Sequence, residues 1–292
     1  MQITASLVKE LRERTGSGMM ECKKALQETG GNIETAIEAM RKSGVAKAEK
    51  KAGRIAAEGI ILIKQDAEAN RAAIVEVNCE TDFVAKDASF QGFAKRVADF
   101  VESMQPADLD ELKKLAAGSD RTLEAERMEL VARIGENISV RRFEVIHCKG
   151  DNMGIYLHGT RIGVLVDMDG GDPELAKDIA MHIAASRPVC VNEAGIPVDM
   201  LAREKDIYTV QAADSGKPAE IVKKMVNGRI RKFIGEITLL GQPFVKDPDQ
   251  TVESVLRTNS AEVLGFVRYE VGEGIERKVD NFVEEVMAQA KS

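Results

Sequence analysis

The chain has 292 residues, enough for about two domains with real cores, and its 44% apolar and 30% charged residues form an ordinary globular balance. A formal net charge of −7 argues against nucleic acid as the main partner, because proteins that grip a phosphate backbone carry a basic excess or stripe. The four cysteines, Cys22, Cys79, Cys148 and Cys190, lie far apart without a CxxC pair, which points away from a zinc site, a dithiol motif or a disulfide framework and toward reduced thiols in a cytoplasmic protein.

Lys9, Glu10, Arg12, Glu13 and Arg14 interrupt the opening segment, so no signal peptide is expected there. No apolar run approaches the roughly 20 residues of a membrane span. Residues 1–45 predict three short helices. The first starts at Thr4 as N-cap, carries Leu7, Val8 and Leu11 on one side, and breaks at Gly16-Ser17-Gly18. The second sets Met19, Cys22, Ala25 and Leu26 on one face and stops at Gly30-Gly31. The third follows Asn32, spaces Ile33, Ala36, Ile37 and Met40 helically, and ends at Gly44. Met20 lies about 100° round the helix from the apolar face, which makes it either a core-edge methionine or an adaptable partner contact. Residues 46–57 are basic and short of large apolar side chains, as in a linker or a solvated helix.

Strand patterns follow at Gly59 to Ile63 and Ala72 to Val77, then a helix carrying Phe90, Phe93, Ala94, Val97, Phe100 and Val101. The order recurs: Ile155 to Leu157 and Ile162 to Val166 read as strands, and the helix opening at Leu175-Ala176 echoes Phe93-Ala94 at an offset of 82 positions. The echo predicts two related halves of one α+β core. Residues 108–137 between them are helical and charged. Residues 199–232 predict a helical hairpin turning at Ser215 to Pro218, then strands at Phe233 to Leu239 and Ala261 to Val271, and a closing helix from about Val279.

Chemistry-bearing motifs are absent. Lys23 follows Gly18 without the second glycine of a phosphate loop, no GxGxxG follows a strand, and His147, His158 and His182 fall in no metal-ligand or triad pattern. No cofactor and no metal are expected. The segment that stands out is Val77-Asn78-Cys79-Glu80-Thr81-Asp82-Phe83-Val84, directly after a strand. Thr81 and Asp82 suit an N-cap. From spacing, Phe83 either staples the helix start to the core or projects as an aromatic wedge beside a carboxylate, and stapling is the commoner role.

That segment, extended to Asp87, resembles the Thr-Asp-Phe-Val motif of the elongation factor Ts family. The resemblance runs through the chain in order: Ile3 to Lys24, Arg41 to Gly44, Lys50 to Gly53, Ile134 to Val140, His158 to Val166, His182 to Pro188, Gly241 to Val245 and Phe266 to Gly274. It implies an α+β fold with a three-helix N-terminal module and linker (1–55), a duplicated core with antiparallel sheets (56–150, then 151–190 with 240–274), an inserted dimerisation hairpin (191–239) and a C-terminal helical module (275–292). It also implies guanine-nucleotide exchange on elongation factor Tu, without covalent chemistry. Thr81, Asp82, Phe83 and Val84 would dislodge the partner's Mg2+. Arg12, Met19, Met20, Ile134, Gly135, His158 and Val245 match further partner contacts, and a homodimer or two-plus-two complex is implied. Two other classes predict different behaviour: an assembly module that holds a partner without altering its nucleotide affinity, and a thiol-dependent enzyme using Cys79.

Overall fold

The computed structural model describes residues 3–116, 121–213 and 218–276. The helix expected from Val279, and Ser215 to Lys217 of the expected turn, lie outside them. At the N-terminus stand α1 (Ala5–Thr15), α2 (Met19–Glu28) and α3 (Ile33–Lys51). Thr4 Oγ1 accepts the Leu7 N–H at 3.3 Å and Asn32 Oδ1 that of Thr35 at 3.0 Å, so each cap satisfies a donor that a first turn leaves over. Gly16, left-handed at φ 65°, returns its N–H to Arg12 O and closes α1. Val8, Leu11, Cys22, Leu26 and Ala36 make a miniature core. Met19, expected on the buried face of α2, is exposed instead, because it is the helix's first residue and overshoots that core.

The first half contains β1 (Glu58–Asp66), β2 (Arg71–Cys79), α4 (Asp82–Ala85), α5 (Ala88–Met104), α6 (Leu109–Lys114), α7 (Leu123–Ile134) and β3 (Ser139–His147). Its sheet is antiparallel in the order β1-β2-β3. Strand alternation divides β2 between two faces. Ala73, Val75, Val77 and Cys79 meet Phe90, Phe93, Ala94, Val97 and Val101 of α5, while Ala72 and Ile74 look the other way. The sequence pattern missed β3, whose Arg141, Arg142 and Glu144 disguise its alternation.

Gly44 does not end α3. A mid-helix glycine costs only about 1 kcal/mol relative to alanine, and here it lets α3 lie on α7, where a Cβ at 44 would stand 3.3 Å from Ala132 Cβ. Past Gly44, Ala48 is buried in the first half's core, and just before the glycine Arg41 Nε reaches Glu129 Oε1 at 3.2 Å. The basic stretch expected as a linker or solvated helix is thus, up to Lys51, the helix that fastens the N-terminal module to the core.

The second half repeats the plan with β4 (Asn152–His158), β5 (Ile162–Asp169) and α8 (Pro173–Ser186), and β8 (Glu262–Glu270) completes the sheet order β4-β5-β8 after a long excursion. The 82-residue echo holds in three dimensions: Leu175, Ala176, Ile179, Ala180 and Ile183 of α8 are buried as Phe93, Ala94, Val97, Ala98 and Val101 of α5 are. The excursion holds α9 (Val198–Ala213), α10 (Ala219–Ile237), β6 (Pro243–Phe244), β7 (Asp247–Thr251) and α11 (Val252–Thr258). Phe233 to Ile237, expected as a strand, belong to α10. Val222, Val226, Ile230, Phe233, Ile234 and Ile237 keep a helical period that overrides local β-preference. The chain enters and leaves this hairpin side by side, with Val189 N donating to Ile237 O and Leu239 N to Cys190 O. The two helices pack mainly on each other. The small β6–β7 hairpin and α11 escaped the sequence reading because they are too short to show a period.

The two sheets face each other, giving four layers: helices, sheet, sheet, helices. Ile61, Ala72 and Ile74 meet Leu165, Tyr269 and Val271 between them. Gly163 permits the approach, since a Cβ there would fall 2.6 Å from Ile61 Cγ2. At this junction lies the carboxylate of Glu76, on the same face of β2 as Ile74 and wholly buried. Arg141 Nη1 binds it at 2.9 Å, Arg142 Nε at 2.6 Å, and the Gly272 N–H of the other half at 2.8 Å. Arg142 also donates to Glu270 O at 3.2 Å and covers the Tyr269 ring at 4.1 Å. Removing one partner of a buried ion pair costs about 3–5 kcal/mol. The arginine side chains are 26% and 31% exposed and can partly rehydrate. Glu76→Ala should therefore lose stability at the lower end of that range, read as a reduced urea midpoint.

Candidate partner interface

β2 ends at Cys79 and the chain turns through Glu80 and Thr81 into the four-residue helix α4. Thr81 caps it, Oγ1 accepting the Val84 N–H at 3.4 Å. Val84 turns inward against the first half's core. Phe83 turns outward and is 80% exposed, which overturns the stapling role that spacing favoured. Asp82, beside it on the surface, accepts from Lys86 Nζ at 2.7 Å, and that bond holds its carboxyl below the usual range.

The loop is fastened from outside. The Glu136 carboxylate accepts the N–H groups of Glu80 at 3.1 Å and Thr81 at 3.0 Å through Oε2, and the Thr81 hydroxyl at 2.7 Å through Oε1. In return, Glu80 Oε1 accepts the Asn137 N–H at 2.6 Å. Asn137 Nδ2 donates to Ala52 O at 3.3 Å and Arg54 O at 2.8 Å, and Lys51 Nζ donates to Gly135 O. Three distant segments meet in this knot: the end of α3, the 80–84 loop, and the turn after α7. Ile134 and Gly135 are part of it. Ile134 packs on the core, and Gly135 adopts φ 93° as the C-cap of α7.

The remaining expected contact residues lie elsewhere. Arg12, Met19 and Met20 are exposed on the N-terminal module, Met20 by 75%. His158 is exposed at the end of β4, with its Nδ1 3.2 Å from Tyr156 Oη. Val245 is exposed in the β6–β7 turn, where its N–H donates to His182 Nδ1 at 3.2 Å. With Nδ1 accepting, the proton of a neutral ring sits on Nε2, which meets Gln242 Oε1 at 3.0 Å. Gln242 Nε2 continues to Glu236 O at 2.8 Å and Ser186 O at 3.3 Å, tying the turn to the hairpin root. The sequence reading assigned no role to Glu80, Glu136, Asn137, His182 or Gln242. Their task is side chain to backbone bonding between segments far apart in the chain, which leaves no periodic signal.

Cys79, offered above as a nucleophile, is buried and donates to Thr81 O at 3.2 Å, and burial, followed by the nearby Glu136 and Glu58 carboxylates, pushes its thiol up to about 12. A nucleophilic cysteine needs the thiolate, which this setting disfavours. Among the described residues no three His, Cys, Asp or Glu side chains gather as a metal site, and no helix is long and apolar enough to cross a membrane.

Comparison with known proteins supplies the context. The family described as Elongation factor TS matches residues 80–273. The chain is 62% identical to the elongation factor Ts of Thioalkalivibrio sulfidiphilus, over 100% of this chain and 99% of that protein. It is 59% identical to that of Methylococcus capsulatus over the whole of both. It is 56% identical to that of Nitrosomonas eutropha over 99% and 98%.

Two measurements check the site's electrostatics. Cys79 should resist thiol reagents at pH 8 in the native protein and react once the chain is unfolded; native reactivity would contradict its burial. Desolvation depresses His182 below its usual value, against a smaller opposing effect of the Gln242 bond. The unfolded chain therefore takes up this proton first as pH falls, and the stability present above about pH 6.5 declines as pH drops from there through the lower native value. NMR should show the His182 ring titrating at a lower pH than histidine in the unfolded chain.

Proposed function

The chain belongs to the elongation factor Ts family of translation elongation factors, and on that premise we propose that it is a guanine-nucleotide exchange factor for elongation factor Tu, working in the cytoplasm without covalent chemistry of its own. The observation that carries the proposal is Phe83: a large aromatic held out in water by a pinned loop, beside a carboxylate, in a chain that has no tryptophan. An exposed aromatic on a fixed support is the kind of group that anchors an interface.

In this reading Phe83 enters an apolar pocket between helices of the partner's GTPase domain and displaces one of them. Asp82 leaves Lys86 and acts near the partner's magnesium, while Thr81 and Val84 set the loop's entry angle. Magnesium bridges nucleotide phosphate to the GTPase, so dislodging it removes the strongest local charge stabilisation of bound GDP. Arg12, Met19 and Met20 grip the GTPase domain from the N-terminal module. Ile134 and Gly135 add contacts beside the wedge, and His158 and Val245 reach another domain of the partner from the second half. The exposed Val198, Ile207, Val210 and Ile221 of α9 and α10 suit pairing with a second copy, as a homodimer or a two-plus-two complex.

Exchange requires a difference in affinity. The factor must bind the nucleotide-free partner more tightly than the GDP form, and by linkage GDP weakens the factor by the same ratio. The test is release of fluorescent GDP from elongation factor Tu with and without the chain. Release should accelerate, and Phe83→Ala should remove most of the acceleration, by roughly 10- to 100-fold if the wedge supplies about 1.4–2.8 kcal/mol of the difference. A stable complex with unchanged GDP release would replace exchange with simple partner holding.

A further inference from the structure

We propose that Glu136 is the positioning residue of the Asp82-Phe83 wedge, presetting the loop's docking conformation by fastening it to the turn after α7. The inference rests on the exchange reading and deepens it. A helix of four residues such as α4 cannot hold its own geometry, because nucleation is unfavourable and one turn gains few hydrogen bonds. Its position must come from outside, and three of the bonds that supply it end on one carboxylate: the Glu80 N–H, the Thr81 N–H and the Thr81 hydroxyl. A carboxylate accepts only, and its bonds are charge-assisted.

The bond from the Asn137 N–H to Glu80 runs in the opposite sense, so loop and turn are locked reciprocally. Thr81 joins the two functions, since its oxygen both receives the Val84 N–H of α4 and donates its proton to Glu136. The Asn137 and Lys51 bonds extend the lock to the end of α3, which holds the wedge in fixed relation to the N-terminal module. An unfastened surface loop moves on the nanosecond to microsecond scale. A wedge free to do so would yield on contact, whereas a fastened one makes the partner yield.

The test compares Glu136→Ala, Glu136→Gln, Phe83→Ala and the double variant Glu136→Ala/Phe83→Ala in the GDP-release assay. Amide hydrogen exchange is measured on each free protein. Glu136→Ala should slow stimulated release roughly 10- to 100-fold, the scale of a misplaced group in a preorganised site. Glu136→Gln should retain most of the rate, because its carbonyl can take the two N–H groups while its NH2 faces the Thr81 oxygen. The double variant should be no slower than Phe83→Ala alone, since Glu136 acts through the wedge. The Glu80 and Thr81 amides should lose protection in Glu136→Ala while α5 amides keep theirs. Full activity of Glu136→Ala, losses that add in the double variant, or unchanged protection at 80–81 would each overturn the proposal. Absence of stimulated release by the unaltered chain, with 80–81 protected, would instead overturn the exchange reading.

Discussion

Glu76 sits where the two sheets meet, with no solvent contact, and receives two guanidinium groups from β3 and an amide from the other half of the chain. A carboxylate in that position is costly to desolvate, and only a full set of donors makes it tolerable. One of those donors, the Gly272 N–H, comes from the other half, so the halves cannot slide past one another without breaking a charge-assisted bond to a buried carboxylate. Apolar contacts between the sheets supply attraction but little direction. The Glu76 cluster supplies the direction, and with Gly163 allowing close approach it makes one body of two related units. That stiffness keeps groups on the first half and groups on the second at a fixed spacing.

The same logic of fixed support operates at smaller scale around Phe83. The residue occupies a position where sequence rules favour a staple, and Val84 takes the inward direction instead. One turn of helix offers only one inward direction next to β2, so the two apolar neighbours in sequence must part. Glu136 and Thr81 then hold the outward residue without covering it. On the second half, His182 and Gln242 serve the β6–β7 turn similarly, a neutral imidazole and an amide bonding each other and three backbone groups in a nearly dry site. In both places a buried or half-buried polar side chain bonds to the backbone of a distant surface loop, and an exposed apolar residue, Phe83 or Val245, is presented beyond it.

Much of this fold was legible from the sequence. The caps at Thr4 and Asn32, the stop at Gly16, the strand pairs and the amphipathic α5 and α8 all follow from local periodicity and turn chemistry, and the echo between Leu175 and Phe93 disclosed the duplication. The misreadings share a cause. Gly44 and Phe233 to Ile237 are positions where intrinsic preference points one way and packing, or a longer period, points the other, and β3 hides its alternation behind arginines whose partner, Glu76, is a buried residue of the neighbouring strand.

By itself the sequence determined most of the helices and several strands, the two-fold repetition, the absence of catalytic and metal-ligand motifs, and the segment Thr81 to Val84 as the one worth attention, because each of these shows in local patterns of residue type along the chain. Only the tertiary structure decided which way Phe83 points, that Cys79 is a buried protonated thiol, that α3 runs on to join the core, and that Glu76 and Glu136 hold the assembly and its loop in place. Those outcomes depend on contacts between residues tens to hundreds of positions apart, where burial and the geometry of donors and acceptors, and not spacing along the chain, set the free energy.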